Sequence, residues 1–218
     1  MRALLLAGAC GALVIMVGCT RAPERPVNPE GRRVAPSDVK PDVELKVESV
    51  AREADTLAVT YAVHNRTARA VLLVDGLMDF GASGHPTLAP ERAYVDLSGD
   101  SAVLLRMLVR VPENLDVEAP EVPAVSRVEP GATASRRAVV PLPLRTSLPY
   151  PTGPELTREL AQVRELRLRV GYLPDAEGVT LHAGTDSRGH PVQTPEYGPT
   201  VTRQQVLDSG PLSLDGVR

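Results

Sequence analysis

From residue 43 onward, apolar and polar positions alternate with a period of two over short runs. Val43, Leu45 and Val47 alternate with Glu44, Lys46 and Glu48; Leu57, Val59, Tyr61 and Val63 alternate with Ala58, Thr60, Ala62 and His64. Successive side chains of a strand point to opposite faces, so both runs predict half-buried β-strands, with Glu53-Ala54-Asp55 as the hairpin loop between them. Further strands are predicted over residues 70–75, 92–97 and 102–111. In the last of these, Val103, Leu105, Met107, Val109 and Val111 share one face, while Leu104 and Leu108 share the other with Arg106 and Arg110. That pattern predicts a central strand or one with a partly covered outer face.

Ser98-Gly99-Asp100-Ser101 and Glu129-Pro130-Gly131 read as turns, since Pro presets φ and Gly accepts a positive φ. Along residues 136–144, Ala138, Val140, Leu142 and Leu144 alternate with Val139, Pro141 and Pro143. Residues two apart direct their N–H groups to one side, so both prolines strip donors from a single edge and predict an outer strand. Glu155, Leu156, Glu159 and Leu160 recur at helical spacing behind Pro154, which predicts a short helix over residues 153–162. Leu166, Leu168, Val170 and Tyr172 predict a strand; residues 174–199 predict a long Gly/Pro-rich loop and residues 200–207 a return strand.

Together these elements predict a mainly β domain over residues 42–214, followed by a tail at 215–218. The expected architecture is an antiparallel immunoglobulin-like β-sandwich with one short helix at a crossover. The order of elements resembles immunoglobulin-like domains of bacterial surface lipoproteins, without the Cys and Trp hallmarks of true immunoglobulin domains. A lipocalin-like barrel is the alternative.

The N-terminus follows a different pattern. A charged start at Met1-Arg2 precedes an apolar stretch from Ala3 to Val17, which is too short and glycine-rich to span a bilayer. It closes on Met16-Val17-Gly18-Cys19, a run that resembles the attachment site of bacterial lipoproteins, with Met16 where Leu is usual. The resemblance implies a signal peptide at residues 1–18 and lipid on Cys19, and Thr20 in the second mature position implies an outer-membrane address. Several acyl chains on one residue give a durable anchor. Residues 19–41 carry Pro23, Pro26, Pro29, Pro36 and Pro41 among charges and read as an extended tether. Cys10 falls in the expected leader, so the mature domain is expected to hold itself together without a disulfide.

The formal charge is −3, and loss of Arg2 with the leader makes it more negative. That argues against a nucleic-acid partner, which needs a cationic footprint. With no Trp, one Phe and five Tyr, stacking platforms for sugars or bases are scarce.

Two sets of residues carry candidate chemistry. Asp75, Asp79 and His85 lie in one loop region, and His182, Asp186 and His190 in another; imidazole and carboxylate together suit a divalent ion such as zinc if the two loops converge. Arg106, Arg110, Arg167 and Arg169 form an exposed basic stripe if their strands share a sheet, against the plainer reading of a solvated face paired with local acids. The stretch 112–129, with Glu113, Asp116, Glu118 and Glu121, is an acidic irregular excursion that lacks the spacing of a calcium loop. Asn65-Arg66-Thr67 matches a glycosylation sequon but reads as a turn. No nucleophile elbow occurs.

The expected function is therefore a non-catalytic module, held on the outer membrane by lipid on Cys19, that contacts an envelope protein or the cell surface and needs no cofactor. The alternative is a metal-binding protein or small metal-dependent hydrolase built on His85 and the His182/His190 loop.

Overall fold

A computed structural model describes residues 42–80 and 85–217. The expected leader, the lipidation site Cys19 and the whole tether at residues 19–41 lie outside the described residues. In chain order the first strands are β1 (Val43–Glu53), β2 (Thr56–Asn65), β3 (Val71–Phe80), β4 (Pro86–Ala89), β5 (Tyr94–Ser98), β6 (Ser101–Arg106) and β7 (Ala124–Val128). There follow β8 (Thr133–Pro141), β9 (Leu144–Arg145), β10 (Thr157–Arg158), β11 (Glu165–Leu173), β12 (Leu181–Thr185) and β13 (Pro191–Pro195). Helix α1 (Tyr197–Arg203) and β14 (Gln205–Asp208) close the order.

The smaller sheet has the order β1-β2-β8, antiparallel throughout. β1 and β2 turn about Ala54-Asp55, with Ala54 in the left-handed region at φ 50. β8 is an outer strand, as Pro141 predicts, though it ends at that residue so that Pro143 lies past it, and its far side meets Arg92 in a single bridge to Val139. The larger sheet runs β4-β3-β11-β6-β5, with β7 on the other edge of β3 and β14 on the other edge of β11. The β5–β6 hairpin turns at Gly99, φ 59, in the predicted Ser98–Ser101 turn.

The domain is mainly β, in agreement with the sequence pattern, but it is not purely antiparallel. β6 and β11 pair in parallel, from Glu165↔Ser101 to Val170↔Arg106. The chain between them crosses over before rejoining the sheet, so β11 enters in the same direction as β6.

Leu57, Val59, Tyr61 and Val63 of β2 form one wall of the main core, and Leu166, Leu168 and Val170 of β11 with Ala102 and Leu104 of β6 form the opposite wall. The far face of the larger sheet is covered too. Leu72, Val74 and Val125 pack under Leu173 and Ala176, while Tyr94, Leu105 and Leu77 pack with Met107, Val109 and Leu148. A sheet buried on both faces explains why β3 reads as a continuous apolar run. The main core also takes in Leu214 and Val217, so the packed domain extends past the expected boundary at 214.

Four predicted elements are corrected. The helix expected over 153–162 is instead the short strand β10 and a single 3₁₀ turn at Leu160–Gln162. Among the described residues one α-helix forms, α1, which overlaps the start of the expected return strand and leaves only β14 of it. The stretch 174–199 is no plain loop: β12 and β13 form a regular antiparallel hairpin there. The strand expected to reach residue 111 stops at Arg106, because the next backbone groups are taken by side chains of and beside α1. Gln204 accepts from the Leu108 amide through Oε1 at 2.9 Å and donates to the Leu108 carbonyl through Nε2 at 3.0 Å, and the Tyr197 hydroxyl accepts from the Val111 amide at 2.7 Å.

Candidate functional site

β6 places Ala102, Leu104 and Arg106 on the face that looks into the space between the sheets. Arg106 is fully buried. It stands at the strand's end, where its guanidinium donates to the carbonyls of Arg92 and Arg137, each at 3.0 Å, and also to those of Asp75 and Pro90. These carbonyls come from β3, from β8 and from the turn before β5, so one side chain ties both sheets together. A buried cation is costly unless its donors are paired, and the four N–H groups on Nη1 and Nη2 are.

Asp75 is displaced by an irregularity in β3, where the register against β7 slips between Val74 and Gly76. Such a bulge re-aims the extra residue. The Asp75 carboxylate, whose side chain is 11% exposed, accepts from Ser126 Oγ at 2.5 Å and from Arg136 Nε at 2.6 Å. Arg136 also donates to Ser126 Oγ at 2.9 Å. The triad sits beside a cleft of about 310 Å³ lined by Leu88, Pro90, Pro191 and Gln193. Behind it lies Tyr61, fully buried, its hydroxyl pushed up by burial and facing the charges of Arg106, Asp75 and Arg136. Among the described residues, Tyr61 Oη and Arg106 Nε have no hydrogen-bond partner.

The predicted basic stripe does not form. Arg106 faces inward, Arg110 is exposed beyond the end of β6, and Arg167 and Arg169 are paired locally. Asp208 of the neighbouring β14 accepts from Arg167 at 3.0 Å and from Arg169 at 2.9 Å, and Glu165 takes a further Arg167 N–H. Alternation grouped the β6 residues by face correctly but could not say which face looks inward.

The two histidine regions do meet. The tip of the β12–β13 hairpin packs on β4, with Ser187 N donating to the Pro86 carbonyl at 3.0 Å. The meeting point is a turn fastening. Asp186 has a fully buried carboxylate that accepts from the amides of His190 at 2.8 Å, Arg188 at 2.9 Å and Leu88 at 3.0 Å. Burial opposes its ionisation, yet these three amides and the His190 ring outweigh that and hold the carboxyl below its ordinary value. The other predicted ligands lie apart from this carboxylate: Asp75 belongs to the Arg136 pair, Asp79 faces Arg92 at 3.5 Å, and His182 faces Glu196 at 3.6 Å. His85 is exposed at the start of β4. Among the described residues, no three His, Cys, Asp or Glu side chains converge in a metal-holding arrangement.

Sequence reasoning missed a second polar cluster. Tyr94 lies in the core, its hydroxyl donates to the Glu121 carboxylate, and the Arg92 guanidinium stacks 5.6 Å from its ring centre. The amide of Glu121 donates to the Tyr150 hydroxyl at 2.6 Å. These bonds fasten one foot of the excursion 107–123, and Gln204 and Tyr197 fasten the other. The sequence signal was present in Tyr94 and Tyr150, unused because nothing in the spacing placed them around one glutamate.

The sequon is not a modification site in the folded chain. Asn65 is fully buried and donates its amide to the carbonyls of Arg69 at 2.8 Å and Val128 at 3.0 Å, which makes it the turn residue it was read as. No helix among the described residues is long and apolar enough to cross a membrane. Comparison with protein-family models, curated proteins and solved structures finds no match.

Proposed function

We propose that this protein is a lipoprotein of the bacterial cell envelope, anchored in the outer membrane through Cys19, whose β-sandwich works by contact with another envelope component and not by catalysis. The anchor rests on the Met16-Val17-Gly18-Cys19 run behind a short apolar leader. One observation carries the contact reading: the side chains best suited to chemistry are spent on the fold. Arg106 is used up on four carbonyls, Asp75 on Ser126 and Arg136, and Asp186 on three amides. The excursion 107–123 meanwhile holds Glu113, Leu115, Asp116 and Glu118 exposed between two fastened feet. A rigidly mounted loop is the usual place for recognition.

Replacement of Cys19 by Ser is expected to move the protein from the membrane fraction to the soluble fraction. Recovery of that variant with membranes would remove the anchor reading. Photo-crosslinkers at Leu115 and Asp116 in intact cells are expected to give one discrete adduct. A crosslinker at Glu44, on the smaller sheet, is expected to give none of it, and equal labelling from both places would remove the contact reading.

A further inference from the structure

The longest strand of the smaller sheet is also its free edge: β1 is outermost in the order β1-β2-β8. Which of its main-chain groups face outward follows from its neighbours. Asn65 donates its amide to the Ala132 carbonyl at 3.0 Å and accepts from the Gly131 amide at 2.8 Å, so both its groups are spent on the β8 side. Main-chain groups alternate sides along a strand, so those of His64 and Ala62 face β1 and meet the opposite residues Glu44 and Lys46. Arg66 continues the alternation by donating to the Asp42 carbonyl at 2.8 Å. The amides and carbonyls of Val43, Leu45 and Val47 therefore point away from the sheet, and among the described residues no backbone group meets them. After Val47 the register slips at Glu48.

We propose that this edge pairs with the same edge of a second copy of the chain, antiparallel about a two-fold axis at Leu45, to give one continuous sheet β8-β2-β1-β1-β2-β8. In that register Leu45 lies opposite Leu45 and Val43 opposite Val47, so the outward groups of each pair exchange hydrogen bonds in both directions. Glu44 falls opposite Lys46 of the second copy, and symmetry repeats the pair. Both side chains stand on the face away from the core, at the non-hydrogen-bonded positions where side chains approach most closely. Charge selects the register. An axis at residue 44 sets Glu44 against Glu44 and an axis at residue 46 sets Lys46 against Lys46, and like charges directly opposed are destabilising. An axis at residue 47 runs the ladder into the irregularity at Glu48. Lys46 is exposed and has no ion pair among the described residues, so the second copy supplies its partner, while Glu44 keeps Arg66 and has a second carboxylate oxygen to offer. Leu45 and Val47, only partly buried against the main core, gain cover. A lysine and a bulge on an edge strand also serve to keep it single. At this register the lysine meets a carboxylate, and the bulge bounds the ladder to residues 43–47, with Asp42 and Glu48 left outside it.

Sedimentation equilibrium of the full chain, with detergent micelles in large excess, tests the pairing, and a dimer is expected. Lys46→Glu, which opposes two carboxylates at both symmetric positions, is expected to weaken association about tenfold. Glu44→Lys combined with Lys46→Glu restores unlike pairs and is expected to dimerise as the natural protein does. Arg52→Glu, beyond the bulge, is expected to leave the dimer intact. A monomeric natural protein, a Lys46→Glu dimer of natural strength, a double variant that stays monomeric, or a dimer lost in Arg52→Glu would each overturn the proposal. It rests neither on the lipid anchor nor on the loop that the contact reading uses.

Discussion

Arg106 and Asp75 meet through the main chain and not through their charges. The buried guanidinium takes the Asp75 carbonyl, while the Asp75 carboxylate is taken by Arg136 of the other sheet. One bulged residue of β3 thus receives an arginine from each side. Replacement of Arg106 by Leu strands four inward carbonyls, and a cost on the order of 3 kcal/mol is expected even after relaxation. Arg106→Lys should recover only part of this, since an ammonium lacks the planar fork that reaches several carbonyls at once. Urea unfolding midpoints measure both variants, and a loss under about 1 kcal/mol for the leucine variant would show that the strut is dispensable.

Tyr61→Phe should behave in the opposite way. Its hydroxyl is buried without a hydrogen-bond partner, so its removal forfeits little and relieves an unsatisfied group. Stability within about 0.5 kcal/mol of the natural protein, or above it, is expected from the same unfolding measurement. A large loss would mean that the hydroxyl holds Arg106 in place.

Asp186→Asn should loosen the β12–β13 hairpin, because an amide replaces an oxygen that faces backbone donors. The folded carboxyl lies below its ordinary value of 3.8, so its contribution is present above that value and is lost as pH falls through the folded one. Limited proteolysis within residues 182–195 is expected to quicken in the variant at neutral pH, and in the natural protein only under strong acid.

Gly171→Ala is expected to act at a distance from its own strand. An added Cβ would stand 2.8 Å from Met107 Cβ and against the Gln204 amide, the group that clamps Leu108. Overpacking of this kind costs about 1–3 kcal/mol. Faster exchange at residues 107–111, with β1 and β2 unchanged, is the expected result; uniform loss over the whole domain would show that the clamp has no local role.

Period-two alternation located β1, β2, β5, β8 and β11, and the turn chemistry of Gly99 and Gly131 marked two of the connections. These were legible because neighbouring residues along the chain decide them. The helix at 153–162 was misread because Leu156 and Leu160 meet the main core from an extended segment and a 3₁₀ turn, and helical spacing does not distinguish that from an amphipathic helix. The metal reading depended on the two loops converging, which spacing along the chain does not decide. It could not show that the Asp186 carboxylate is already filled by amides from two of its own neighbours and from Leu88.

The sequence alone determined the mainly β class of the fold and which residues of a strand share a face, since each depends on residues within a few positions of one another. Only the tertiary structure decided which face of β6 looks inward, that β6 and β11 run parallel, and that Glu121 meets Tyr94 and Tyr150. Those relations join residues far apart in the chain, and burial there is set by which sheet or loop covers a surface, a property that no local alternation encodes.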